Sequence, residues 1–260
     1  MPEINCLQFA SLQLVTGLRH AVTTRYGGCS STPYSSLNLG YHVNDDAARV
    51  NHNRIVLADT LGYDATQLVA AQQVHGAQAT IIDANSRGRG ALDWDSALPE
   101  TDALIVAQSN VPVLILVADC APLLIVDAAH QVLAVVHAGW RGAVSRIASQ
   151  TVQKMQRTFG SQPQQVQVGI GPCLCADCFE IGNEVTTAAQ AIDASCIVSG
   201  VGKPHLDLGM LLRSDLQAVG VLDTNIELMP HCLRCDTQTF FSHRGEQGRT
   251  GRFGLVAWWE

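Results

Sequence analysis

The chain has 260 residues, with 16 Lys and Arg against 23 Asp and Glu, so its formal net charge is −7. Apolar residues make up 47% and charged residues 15%, which excludes disorder and leaves ample core without disulfide or metal staples. The acidic balance argues against nucleic-acid binding, which needs a basic excess gathered on one face, but a few arginines in a cleft can still hold a small anion.

At this length one large domain or two small ones are expected. No run reaches the roughly 18–20 apolar residues of a membrane span; the longest candidate, 111–129, is broken by Pro112, Asp119, Pro122 and Asp127. The opening MPEINCLQFASLQLV carries Glu3 and no basic region before its apolar part, so no signal peptide is expected. Nine cysteines without a signal then point to reduced thiols in the cytoplasm.

In chain order, TRYGGCS at 24–30 reads as a turn. Residues 47–61 predict a helix, preceded by Asn44 to Asp46 and stopped by Gly62. Mostly apolar runs at 68–74, 103–107, 113–117, 123–126, 132–136 and 166–170 predict strands, several of them buried on both faces. Residues 84–101 read as a long polar loop within one domain. Val144, Ile147, Ala148, Thr151, Val152, Met155 and Phe159 form one face of a four-turn helix that ends at Gly160. Further helices are expected at 183–194 and 207–219. Strands and helices intermix without repeats, giving an α/β or α+β protein with a mixed sheet.

Three metal-ligand residues follow predicted strands: His75 in QQVHG, Cys120 in ADCAP and His137 in HAGWRG. If the three strand ends converge, two imidazoles and a thiolate make a three-ligand site with an open fourth position, a catalytic type of zinc centre. They are separated by 45 and 17 residues, and no local spacing rule favours the trio, so buried structural residues remain the alternative. The segment His137 to Gly142 leads into a helix expected to begin near Ala143, whose start, with Arg141, would attract an anion. A tight turn under Trp140 is the alternative. Arg25, beside Gly27 and Gly28, is a second possible anion contact. In FFSHRGEQGRTGR, Phe241 and its neighbour could stack a base while Arg244, Arg249 and Arg252 meet phosphate; a solvated basic loop reads equally well.

Cys173, Cys175 and Cys178 form a Cys-x-Cys-x-x-Cys pattern that ends 54 residues before Cys232 and Cys235. That uneven spacing favours reduced core and loop thiols over a structural zinc, and it predicts that Cys173→Ser, Cys175→Ser and Cys178→Ser leave metal content unchanged.

Taken together, TRYGGCS, SLNLGYHVNDD, QQVHG, TDALIV, ADCAPLLIVD, HAGWRG, GPCLCADCFEIG, HLDL and FFSHRGEQGRTGR, spread over about residues 20–258, resemble the YfiH/laccase-domain family of purine nucleoside phosphorylases, formerly filed as polyphenol oxidases. The resemblance implies a single α+β domain spanning 1–260, with a mixed β-sheet flanked by helices. It implies a catalytic zinc held by His75, Cys120 and His137. It also implies phosphorolysis of adenosine, inosine and methylthioadenosine, with adenosine deamination alongside. Asp119 would shuttle protons, and Arg25, Arg141, Arg244 and Phe241 would contact phosphate or substrate. Two positions depart from the family's pattern: Ser242-His243-Arg244-Gly245 keeps one arginine of the usual pair, and Cys175 stands where glycine is common.

Three competing readings follow from the same residues. A laccase of the multicopper type needs about ten histidines, largely in His-x-His pairs, and the chain has nine and no such pair; copper could still occupy the trio in place of zinc. Cys120 activated by His137 would make a cysteine hydrolase. A binding module with a structural zinc is disfavoured by three ligands. Purine nucleosides and phosphate are the expected partners, with no nucleic acid, membrane or obligate protein partner.

Overall fold

The protein is seen in a computed structural model that describes residues 3–199 and 202–260. In chain order these residues form β1 (Cys6–Leu7), β2 (Leu18–Thr23), α1 (Ala47–Leu61), β3 (Val69–Ala70), β4 (Ala79–Ile81), β5 (Ala103–Val106), β6 (Val113–Val117) and β7 (Ala121–Asp127). There follow β8 (Val132–Ala138), α2 (Trp140–Val144), α3 (Ile147–Phe159), β9 (Gln167–Ile170), α4 (Asn183–Gln190), β10 (Ile197–Val198), β11 (His205–Leu206), α5 (Leu208–Ala218), β12 (Ile226–Leu228) and β13 (Phe253–Trp259).

Two mixed sheets carry the fold: β1-β2-β13-β6-β3, and β12-β9-β7-β8-β5-β4. They pack face to face. Val113, Ile115 and Val117 of β6 share one buried cluster with Leu124 and Val126 of β7 and Leu133 and Val135 of β8. Alternate residues face the other way. Leu114 and Leu116 pack under Leu57 of α1, while Ile105, Leu123, Ile125, Ala134 and Val136 pack under α3 and α5. Each central strand is thus covered on both faces, which is why 113–117 and 132–136 read as unbroken apolar runs. The expected α+β architecture with helices flanking mixed sheets is what forms.

Three elements differ from the sequence reading. The strand expected over 68–74 stops at Ala70, because the Gln73 side-chain amide takes over pairing with β6: Oε1 accepts from Leu116 N and Nε2 donates to Leu116 O, both at 2.8 Å. The helix expected over 183–194 ends at Gln190. The four-turn helix expected from 144 is split, because Arg146 adopts a left-handed φ of 61°. Asp215 of α5, fully buried, accepts from Ser149 N at 3.0 Å and Ser149 Oγ at 2.8 Å, satisfying the first turn of α3 from outside. The helix after Gly139 is therefore α2, of only five residues, and it starts at Trp140 rather than near Ala143. Strands β2 and β13 lie outside the expected elements, although β13, FGLVAWW, is an unbroken apolar run of the same kind as the others.

Candidate active site

The chain crosses from one sheet to the other twice at the same end of the strands. The segment after β3 passes through His75 to β4, and the tight segment after β6 passes through Asp119 and Cys120 to β7. Strands β3 and β6 are parallel, so both crossings leave from the same end. Strand β8 runs antiparallel to β7 with His137 opposite Pro122, which returns His137 to that end. The ligand atoms of His75, Cys120 and His137 all lie within 4.8 Å of one another, and the two imidazole rings meet edge to face at 4.7 Å. His137 lies inside β8 rather than past its end.

Backbone geometry supports this convergence. His75 and Asp119 both hold left-handed conformations, with φ of 62° and 88°, a cost that accumulates where surrounding structure fixes the chain. Gly139 supplies room: a Cβ there would stand 2.9 Å from Cys120 Sγ and 3.0 Å from His75 Cδ2.

Asp102, at the start of β5 and fully buried, organises both histidines. Its Oδ1 accepts from His137 Nδ1 at 2.8 Å and from His75 N at 3.0 Å, and its Oδ2 accepts from Gly76 N at 2.7 Å. Burial raises its pKa, but the bonds from His137 and the backbone outweigh burial and hold the carboxyl below its usual range. Burial also opposes charge on Cys120, yet His137 and His75 pull its thiol down to about 6. For His137, burial is outweighed by Cys120 and Asp102, which raise it to about 9. Without metal, the site is a thiolate facing an imidazolium whose far nitrogen is bonded to a carboxylate.

Above the trio lies a cavity of about 370 Å³, within the range of small-molecule sites, roughly 300–1,000 Å³. Arg141, Arg244 and Arg252 line it, with Trp140, Phe179, His42, His243 and Gln73. The Arg141 guanidinium lies 4.2 Å from the Trp140 ring and that of Arg244 lies 4.8 Å from the Phe179 ring. Asp119 accepts from Ser242 Oγ at 2.6 Å through Oδ1 and from Arg244 N at 2.7 Å through Oδ2, tying the 242–244 loop to the crossing that carries Cys120.

Two expected contacts are corrected. The Arg25 guanidinium is occupied inside the protein: it donates to Ser35 O, to Glu246 Oε1 at 3.0 Å and to Thr237 O, and it stacks on Phe241 at 4.6 Å. Phe241 and Phe240 are fully buried, so neither can stack a base. The aromatic faces in the cavity belong to Trp140 and Phe179. Sequence patterns do not single out Asp102, Gln73, His42 or Phe179. Asp102 offers one signal, an acidic residue immediately before a buried apolar strand.

Residues 19–260 match the family described as "Multi-copper polyphenol oxidoreductase laccase", and the chain belongs to that family. It is 37% identical over 257 residues to "Adenosine deaminase RL5" from an unknown prokaryotic organism, covering 97% of each chain. It is 33% identical over 234 residues to "Purine nucleoside phosphorylase YlmD" of Bacillus subtilis (strain 168), covering 88% of this chain and 84% of that one. The fold superposes on the crystal structure of the Bacillus licheniformis hypothetical protein YfiH with a TM-score of 0.93 at 30% identity, covering 95% of both chains. No helix among the described residues is long and apolar enough to cross a membrane.

The donor sets do not fit the multicopper wording. Among the described residues two groups could hold a metal, one of four cysteines and the trio, whereas a multicopper oxidase needs a histidine-rich cluster beside a His₂Cys site. The trio does fit a single zinc or copper ion: mixed imidazole and thiolate donors, one histidine oriented by a carboxylate, and an open side facing the cavity.

Proposed function

We propose that this protein is a zinc-dependent purine nucleoside phosphorylase that cleaves adenosine, inosine and methylthioadenosine with phosphate and deaminates adenosine at the same site, in the cytoplasm. The observation that carries the reading is one cavity with the His75–Cys120–His137 trio at its floor and three arginines on its walls. Relatives named as a phosphorylase and as an adenosine deaminase support it.

His75, Cys120 and His137 would hold the ion, and Asp102 keeps His137 presenting Nε2 by occupying Nδ1. Zinc bound there would supply Lewis acidity toward an oxygen; copper would suit the same donors. Phosphorolysis passes through an oxocarbenium-like sugar, so it gains from positioning the incoming phosphate. Arg141, Arg244 and Arg252 supply charge-assisted donors for that anion. Trp140 and Phe179 offer faces to the purine. Asp119 is the carboxylate lining the cavity, and each of its oxygens keeps a second lone pair for proton transfer beyond its bond to the 242–244 loop.

The Cys120–His137–Asp102 chain of contacts also suits a cysteine hydrolase, with Cys120 as nucleophile. One experiment decides between them: incubate the protein with adenosine, with and without phosphate, before and after chelation, and identify products. Adenine with ribose 1-phosphate formed only with phosphate, together with inosine, both lost on chelation, is the expected result. Neither product, or products indifferent to chelation, would overturn it.

A further inference from the structure

Four cysteines that play no part in the trio meet beside the cavity. The Sγ atoms of Cys175, Cys178, Cys232 and Cys235 all lie within 4.8 Å of one another, although their sequence spacing favours scattered thiols. Two Cys-x-x-Cys turns bring them together. In the first, a short helical turn over Ala176–Cys178 closes with Cys178 N donating to Cys175 O at 3.0 Å. In the second, Asp236 N donates to Cys232 O at 3.1 Å. The segments are registered by a bridge pairing Cys173 with Cys232, and by Leu233 N donating to Cys173 O at 3.1 Å. The 54-residue gap is closed by tertiary structure.

The spacing of the sulfurs selects a single ion. Cys178 and Cys235 Sγ stand 3.5 Å apart, well beyond a disulfide of about 2.05 Å. Four bonds of about 2.3 Å in a tetrahedron place sulfurs about 3.8 Å apart. An iron–sulfur cluster would spread its thiolates further, by its own width. Cys175 N donates to Cys232 Sγ at 3.4 Å, a contact that favours a thiolate acceptor. Four thiolates close the coordination shell and leave no open position, the pattern of a structural rather than catalytic ion.

We propose that Cys175, Cys178, Cys232 and Cys235 bind one zinc ion, separate from the trio, that clamps the outer wall of the cavity. The clamped segments carry Leu174 and Phe179 on one side and His243 and Arg244 on the other, all four lining the cavity. Arg244 spans them, with Nη1 donating to Cys178 O at 3.3 Å. Cys173, whose Sγ donates to Leu174 O, is outside the set.

The test is elemental analysis of the reduced full-length protein and its variants. Cys178→Ser and Cys235→Ser should each lose one equivalent of zinc, and Cys173→Ser none. His137→Ala reports on the trio alone: it should leave this equivalent in place, whatever metal the trio holds. Full zinc retention in Cys235→Ser, iron in place of zinc, or a Cys178–Cys235 disulfide in the mass spectrum of native protein would overturn the assignment. If the cysteine variants precipitate, cobalt-loaded wild-type protein decides. Charge-transfer absorption of at least four-thiolate intensity, of which the four-thiolate part persists in His137→Ala, is expected; single-thiolate intensity would refute the site.

Discussion

Asp102 Oδ1 lies 2.8 Å from His137 Nδ1, and the same carboxylate accepts the backbone N–H groups of His75 and Gly76. A single buried acid immediately before β5 thus sets the ring orientation of one imidazole and the strained backbone of the other. Asp102→Asn should weaken metal binding to the trio by about 10–100-fold, the usual loss when an orienting carboxylate is removed. Chelator competition measures it, and unchanged affinity would reduce Asp102 to a packing role.

In metal-stripped protein, Cys120 should be alkylated with a midpoint near pH 6. Its folded pKa is depressed by His137 and His75, so the reactive thiolate persists above that value and is lost as pH falls through it. His137→Ala should move the midpoint up toward the ordinary thiol range. Peptide-resolved mass spectrometry separates Cys120 from the exposed Cys29 and Cys235; a midpoint in the ordinary thiol range in the wild type would refute the coupling.

Arg141→Ala should damage phosphorolysis more than deamination, because phosphate is a substrate only in the first. A charge-assisted hydrogen bond is worth roughly 1.5–3 kcal/mol, or about ten- to a hundred-fold in rate if realised at the transition state. His137→Ala should abolish both activities together. Equal losses in Arg141→Ala, with a parallel fall in melting temperature, would show that Arg141 only braces the turn.

Arg25→Ala should destabilise the protein by about 3 kcal/mol, since it leaves Glu246 and several carbonyls without their buried partner. No selective rise in the KM for phosphate should accompany it, because the guanidinium is turned into the protein. A phosphate-specific defect at unchanged stability would return Arg25 to the site.

His20 titrates the fold. Burial lowers its pKa to about 4, and its Nε2 accepts from Phe9 N at 3.0 Å, which requires the neutral ring. The unfolded chain takes up this proton near pH 6.5 and the folded chain only near pH 4, so stability should fall as pH drops through that window. The contribution is up to about 3 kcal/mol. Urea titrations of wild type and His20→Gln between neutral pH and the folded pKa check it: the variant should lose less stability on acidification.

Much of this architecture is legible in the sequence. The buried strands show as unbroken apolar runs, and α1 by its capping residues, because burial and capping leave their mark on neighbouring residues. The trio is legible as three candidate ligands beside strands, and resemblance to a family draws them together. Arg141 and Arg244 are expected to meet an anion, and both line the cavity.

The sequence by itself determined which segments are buried and which residues have metal-ligating or anion-binding chemistry, since both are properties of local composition. Only the tertiary structure decided who meets whom. It turned Arg25 and Phe241 inward and cut the helix at Arg146 through a cap supplied by Asp215 on α5. It placed Asp102 behind two histidines and gathered four cysteines across 54 residues into one cluster. Each outcome depends on how the two sheets cross and pair. Such contacts join residues far apart in the chain, whose spacing leaves no periodicity to read.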